Sequence, residues 1–342
     1  MSPGSLFGFV VSISLLADPS TAALTRFETG DRLMGMDFNL TLYAPTEQVA
    51  NASARAAFKR IKELNSILSD YEPDSELMRL CATAGSGQEV PVGPDLWAVL
   101  SAAHDLNVRS DGAFDVTVGP FVKLWRQTRR SRTLPTPEQI QSARDRFGDR
   151  FIRWNRQQHR VLLEKKGMQL DLGGIAVGYA LDEAMQVLRN HGIKSAMLDG
   201  SGDILVSEPP PGQPGWRVGI APLTADGPPS RFLLLKNMSV TTSGSAFQHV
   251  ELHGKRYSHI VDPQTGLGMT TRSAVTVIAP TGIVADSYAT AVCLLGPEKG
   301  VRLIENTPGA ACLILAAEGD RISATSSARW SGFEVKQESS KP

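Results

Sequence analysis

An α+β fold of layered, mostly antiparallel sheets with packed helices is what this sequence predicts. Two observations carry that expectation. Apolar residues recur at helical spacing in a few long segments, chiefly 46–69, 95–106 and 281–296. Between residues 216 and 278, short strand-like segments follow one another with turn residues between them, which suits hairpins. Helices mixed with strands of antiparallel pattern argue for α+β layers over a Rossmann-type sheet.

The chain's 342 residues allow one large domain or two intimate ones. Lys+Arg and Asp+Glu both number 35, so the formal charge is zero. No basic excess draws the chain to nucleic acid or to an anionic membrane. The three cysteines, Cys81, Cys293 and Cys312, are scattered, without metal-ligand spacing. Cys293 and Cys312 lie in apolar runs and read as core. A disulfide framework is excluded; a single bridge is left open. Residues 5–16 form an apolar run too short to span a bilayer comfortably, and small residues follow it. The pattern predicts a secretory signal over 1–23, with Ser20-Thr21-Ala22 as cleavage site, in preference to a buried strand. No cysteine near the run offers lipid attachment.

In chain order, residues 32–44 alternate as a strand ended by Pro45. Thr46 caps a helix to about Ser69, with Val49, Ala56, Ile61, Leu64 and Leu68 inward. Residues 69–77, SDYEPDSEL, form a polar loop whose one aromatic is Tyr71. Asp95 caps a second helix through Leu106. Ser110-Asp111-Gly112-Ala113 turns the chain into FDVTVGPFVKLW, and basic residues 126–135 read as exposed loop. Thr136, Pro137 and Gln139 predict a capped helix start. Strands follow near 151–154 and 161–164. The stretch LDLGGIAVGYALDE, 170–183, reads as strand, glycine turn and helix. Two strands flank LDGSGD within 194–206, and the prolines of SEPPPGQPG then forbid a central strand. Strands are expected at 216–221, 231–237, 239–242, 247–252, 256–261 and 273–278, with a turn at His253-Gly254. The helix 281–296 ends at Gly296, another covers about 297–306, and a last hairpin turns at Glu318-Gly319-Asp320. The tail 336–342 reads as disordered.

Five places offer chemistry. Paired glycines at Gly173-Gly174 let a backbone approach a ligand, the helix start beyond them favours an anion, and Asp171 stands just before the turn. An ordinary strand-to-helix turn explains them equally well. Asp286 and Thr290, four residues apart on a helix, share a face and offer hard oxygen ligands that suit Mg²⁺; the plainer reading is a solvated acid beside a packed threonine. The strand end TTSG at 241–244 can hold phosphate oxygens or simply lead into a hairpin. His259 stands before an Asp-Pro-x-Thr-Gly turn, where it can move a proton, hold a phosphate or serve structure alone. Alternation would put it on one strand face with Tyr257. Ala113 and Phe114, before Asp115, can line a flat ring or pack a loop.

Their order and joint presence decide. MGM at 34–36, SDYEPDSEL, DGAFDVTVGPFVKLW, LDLGGIAVGYALD, TTSG, GKRYSHIVDPQTG and ADSYATAV together resemble the ApbE family, the FAD:protein FMN transferases, over about residues 30–335. The resemblance implies the fold of those flavin transferases and an enzyme that splits FAD. It needs Mg²⁺, with Mn²⁺ as a substitute, moves FMN to a threonine of a partner protein and releases AMP. It assigns a flavin site to Met34, Tyr71, Ala113, Phe114, Asp115, Asp171, Val177 and Ile260. Metal ligation falls to Asp286 and Thr290, with a backbone oxygen near Gly174 or Ala176, and catalysis to His259 and Asp286. Val177 departs from the family, which often carries Lys or Glu there, and Met36 stands where Thr is usual. The implied acceptor is a subunit of a redox-driven sodium-pumping or Rnf-type complex, or another exported flavoprotein, met in the periplasm or at the inner membrane. The chain carries no convincing Asp-x-x-Thr-Ser acceptor motif of its own. Two other readings use the same site: a metal-dependent FAD pyrophosphatase with water as attacker, and a non-catalytic periplasmic flavin-binding protein. A carrier needs no metal, so Asp286 and Thr290 speak against the last.

Overall fold

The computed structural model describes residues 23–220, 223, 229, 231–244, 249–319 and 321–335. Apart from Ala23, the expected signal segment and the tail 336–342 lie outside the described residues. The architecture is α+β. Eight strands form one sheet: β1 (Thr25–Leu33), β2 (Met36–Ala44), β3 (Ala196–Gly200), β4 (Asp203–Val206), β5 (Met238–Gly244), β6 (Arg272–Ala279), β7 (Ala311–Glu318) and β8 (Arg321–Ser326). They lie side by side in that order, every neighbouring pair antiparallel.

The middle of the sheet is buried on both faces, while the edge strands β1 and β8 are largely exposed. Helices α1 (Glu47–Leu68), α6 (Ala176–Asn190) and α7 (Gly282–Glu305) share the main core with it, around Phe38, Leu64, Leu181 and Val277. A smaller sheet of segments 216–220, 231–235 and 334–335 meets the other face through Trp216, Leu233, Val240, Ile278 and Trp330. Val277 and Ile278, successive on β6, enter different clusters, as the pleat requires. A third cluster packs Phe121 and Trp125 of α4 (Gly119–Ser131) on Val250, Leu252 and Tyr257 of the hairpin 249–258. That hairpin turns at His253 (φ 51°) and Gly254 (φ 73°), where expected. All three cysteines are free and buried. Among the described residues no helix is long and apolar enough to cross a membrane.

Several local expectations hold, and others are corrected. Thr46 caps α1 by accepting from the Val49 N–H, and Thr136 and Gln139 form the full capping box of α5 (Pro137–Arg144). The single strand expected over 32–44 is instead a hairpin, broken at Met34 (φ 51°) and Gly35 (φ 77°). Two consecutive left-handed residues suit a tight hairpin turn, and alternation alone does not show the break. Asp95 does not cap α3 (Pro94–Arg109); Gly93 holds that position, while Asp95 accepts from Arg60 and from the Tyr179 hydroxyl at 2.7 Å. The basic segment from 126 is no loop at its start, because α4 runs on to Ser131 and buries Thr128 beside Trp125. Residues 169–172 form no strand. They run extended beside the 3₁₀ turn 116–118, where the Asp171 N–H donates to the Val116 carbonyl at 2.8 Å. Gly296 (φ 74°, ψ −178°) and Pro297 break α7 where its end was expected.

Thr281 gives α7 no side-chain cap bond. The cap comes from α6: Asp182 accepts from the Gly282 N–H (2.6 Å) and the Ile283 N–H (2.9 Å). Burial nevertheless pushes the Asp182 carboxyl up to about 6, against the pull of those two N–H groups. A folded-state value raised above the unfolded one means stability present below about 4 and lost as pH rises through about 6. Asp182→Asn should therefore flatten the fall in melting temperature between those pH values. Asp182→Ala should cost about 1–2 kcal/mol in denaturant unfolding at pH 4 and less at pH 8. An unchanged pH profile in the Asn variant would refute the assignment.

Candidate active site

Two glycines set the site. A Cβ on Gly178 would lie 2.2 Å from the Gly282 carbonyl oxygen, and one on Gly282 would lie 2.3 Å from that of Gly178. No side chain fits at either position, so α6 and α7 touch backbone to backbone. At that seam the Gly178 N–H donates to Asp286 Oδ2 at 3.0 Å. One turn further along α7, Thr290 Oγ1 lies 2.9 Å from where a Gly174 Cβ would stand. Gly174, Asp286 and Thr290 are thus brought together, with Ala176 between the two glycines of the 174–178 segment. The strand end TTSG joins them: the Cys293 thiol donates to the Ser243 carbonyl at 3.5 Å, one turn beyond Thr290.

Asp286 is not the solvated helix-start residue that spacing suggests. It is 5% exposed, and burial together with the Asp203 carboxylate holds its carboxyl well above the usual range. Asp203, the first residue of β4, is itself pushed up to about 7, by burial first and by Asp199 in addition, with Thr241 opposing. Carboxylates that feel each other's charge are costly to ionise together, and a proton or a cation relieves that cost. Carboxylate, hydroxyl and backbone carbonyl oxygens are the donors that Mg²⁺ takes, with water and phosphate completing its shell. Among the described residues no three of His, Cys, Asp and Glu gather as a metal cluster; the side-chain donors brought together here are the Asp286 carboxylate and the Thr290 hydroxyl. These residues fit Mg²⁺.

Of the residues assigned to the flavin, Tyr71, Asp171 and the 113–115 turn lie near one another. Asp171 Oδ1 accepts from the Gly173 N–H at 2.8 Å, and Oδ2 accepts from Arg126 at 3.1 Å. Burial and then Asp70 raise its pKa, while Arg126 lowers it. Arg126 also binds Asp70 and lies over the Tyr71 ring, 4.1 Å from Cζ to centroid. Tyr71 itself is 74% exposed. The 113–115 turn is adjacent through the Asp171–Val116 bond, and Asn107 Nδ2 donates to the Phe114 carbonyl at 2.9 Å. Met34 sits at the β1–β2 turn. Pairing of Phe38 with Gly200 sets that turn beside the β3–β4 turn that leads to Asp203.

Four assigned residues have surroundings that spacing did not disclose. Asp115 holds the protein together: Oδ1 accepts from the Thr117 N–H and hydroxyl, and Oδ2 from the Asp149 N–H. Phe114 and Ile260 are buried in the main core. Val177 is buried there too, with Cγ1 3.1 Å from where a Gly200 Cβ would stand, so its side chain packs against the end of β3. Tyr257 and His259 do not share an environment. The strand ends at Ser258; Tyr257 is buried against Trp125, and His259 is exposed. The backbone around His259 is fixed on both sides: the Ile260 N–H donates to Ser258 Oγ (3.1 Å), and the Met269 N–H to the Ile260 carbonyl (2.9 Å). Asp262 forms the turn expected of it, accepting from the Gln264 N–H at 2.8 Å. Sequence reasoning passed over Gly178, Asp182, Asp203 and Arg126. The signals were weak: one glycine in a helix, and acids or a base within polar stretches.

The ApbE family's sequence model matches residues 34–314. The FAD:protein FMN transferase of Treponema pallidum (strain Nichols) is 32% identical over 311 residues, spanning 86% of this chain and 85% of that protein. The protein of the same name from Escherichia coli (strain K12) is 32% identical over 278 residues, spanning 79% and 78%. Among solved structures, the flavin transferase ApbE from Vibrio cholerae superposes with a TM-score of 0.82 at 25% identity, covering 91% of this chain and all of that one (100%). The apo flavinyl transferase ApbE of Pseudomonas stutzeri gives 0.79 at 28% identity, covering 90% and 96%. The fold is thus that of the solved flavin transferases, mixed helix and antiparallel sheet. The chain belongs to the ApbE family.

Proposed function

We propose that this chain is a Mg²⁺-dependent FAD:protein FMN transferase, which joins FMN to a threonine of an exported acceptor and releases AMP. The observation that carries this reading is the seam where Asp286 and Thr290 meet Gly174 and the strand end at Ser243. It sets hard oxygen donors beside hydroxyls and backbone suited to a diphosphate. The acceptor's threonine oxygen forms a bond to the FMN phosphorus as the bond to the AMP phosphate breaks. The threonine proton passes to a base, and AMP leaves. Asp286, Thr290 and a carbonyl near Gly174 or Ala176 would hold Mg²⁺, which would neutralise phosphate charge when bound. Positioning and charge neutralisation are most of what phosphoryl transfer needs. Water must be kept from the phosphorus, since it would give free FMN and AMP.

The decisive experiment incubates the protein with FAD, Mg²⁺ and a threonine-bearing acceptor from a sodium-pumping or Rnf-type complex. Acceptor mass should rise by FMN less water, with one AMP released per acceptor. FMN and AMP without a change in acceptor mass would make the protein a pyrophosphatase. Bound FAD with neither product would make it a carrier. The apolar run 5–16 supports export, with a mature chain near Ala23; an intact N-terminal Met on protein from the native cytosol would reject that. Tyr71 is exposed and has little packing to lose, so Tyr71→Ala should leave melting unchanged. It should weaken FAD binding by roughly 1–3 kcal/mol, the scale of one aromatic contact with a flat ring. An unchanged dissociation constant by flavin fluorescence quenching would remove Tyr71 from the site.

A further inference from the structure

Arg126 joins three groups that lie far apart in sequence. Its Nη1 binds Asp70, its Nη2 binds Asp171 at 3.1 Å, and its plane covers the Tyr71 ring at 4.1 Å. A tie for a surface loop needs one such contact, and Tyr71 remains 74% exposed despite it. The arrangement has a second property. A guanidinium carries five N–H donors, and the two carboxylates engage two of them here. Each Asp171 oxygen accepts one bond, from Gly173 or from Arg126, and keeps a further lone pair. Donor and acceptor therefore stand side by side, the Arg126 side chain 30% exposed and that of Asp171 10%.

The pyrimidine edge of an isoalloxazine has the complementary pattern: an imide N–H between two carbonyl oxygens. A carboxylate accepts the N–H, and a planar cation donates to a carbonyl beside it, with the geometric selectivity of guanidinium forks. We propose that Arg126 and Asp171 together read the imide edge of the flavin. Arg126 donates to a ring carbonyl, and Asp171 accepts the imide N–H. Arg126 is then a specificity-determining residue for flavin over other flat heterocycles. The inference rests on the flavin-site reading above.

The test uses the full chain and three phosphate-free probes: riboflavin, 2-thioriboflavin and 4-thioriboflavin. Sulfur is a poor acceptor, so each analogue blunts one ring carbonyl. Dissociation constants from fluorescence or absorbance titration are compared for the wild type, Arg126→Met and Arg126→Lys, each with its melting temperature. The wild type should bind one of the two thio analogues about 5–10-fold more weakly than riboflavin, the loss of one charge-assisted hydrogen bond. Arg126→Met should bind riboflavin about tenfold more weakly and treat all three probes alike. Arg126→Lys, a point charge without the fork, should keep part of the affinity and little of the preference. A Met variant that keeps wild-type affinity or preference overturns the inference and leaves the flavin site standing. Equal losses for all three probes with a lowered melting temperature also overturn it, by making Arg126 a loop tie. A wild type that binds neither riboflavin nor FAD overturns the flavin-site reading itself, and this inference with it.

Discussion

Asp286→Asn should lower transfer by more than about 100-fold while the fold stays intact, a loss on the scale of one preorganised electrostatic partner. Asparagine is the informative replacement. It keeps the size of the side chain and an oxygen to accept from the Gly178 N–H, and removes only the charge. Alanine would leave that N–H buried without its acceptor, at about 1–3 kcal/mol, and would confuse folding with chemistry. Asp286 is buried, so truncation there would disturb packing as well as remove the charge. The direction of the pKa gives a second readout. Burial and Asp203 raise the Asp286 carboxyl, so its contribution to stability is complete at low pH and is lost as pH rises toward its folded-state value. In EDTA at pH 8, Asp286→Asn should therefore melt at or above the wild-type temperature. Mg²⁺ should raise the wild-type melting temperature by mass action and leave the variant's in place. Near wild-type turnover, or an equal Mg²⁺ shift in both proteins, would reject the metal assignment.

The fold was legible in the sequence wherever one period or one cap decides the element. Thr46 and the box of Thr136 with Gln139 mark helix starts because a side chain satisfies named backbone N–H groups. His253-Gly254 marks a hairpin because two left-handed residues are needed there. Misreadings came where tertiary contacts outweigh local pattern. Asp95 looked like a cap, yet Arg60 and Tyr179 reach it from α1 and α6. Residues 126–131 looked like loop, because their charges hid the helix that Trp125 and Thr128 anchor. The site divides in the same way. The spacing of Asp286 and Thr290 is local and could be read. Their meeting with Gly174 depends on Gly178 and Gly282 fitting together from segments about a hundred residues apart, and Asp203 reaches them from the sheet. Arg126 was missed for the same reason: all three of its partners lie on other segments.

His259→Gln should lower turnover by roughly 10²–10⁴ with FAD affinity nearly unchanged, if the imidazole takes the threonine proton. The structure narrows what else this residue can be. The strand ends at Ser258, and the backbone is held on both sides by Ser258 Oγ and Met269, while the His259 side chain is exposed. A fixed backbone with an outward ring suits a group that must meet a protein substrate arriving from solvent. It does not suit a core residue, so the melting temperature of His259→Gln should match the wild type. The alternative role is phosphate binding, and the two separate on one variant. Removing a base costs turnover alone, because the substrate is bound before the proton moves. Removing a phosphate-binding group weakens FAD affinity together with turnover. Turnover unchanged by the substitution would remove His259 from the mechanism and leave the acceptor's own surroundings to supply the base.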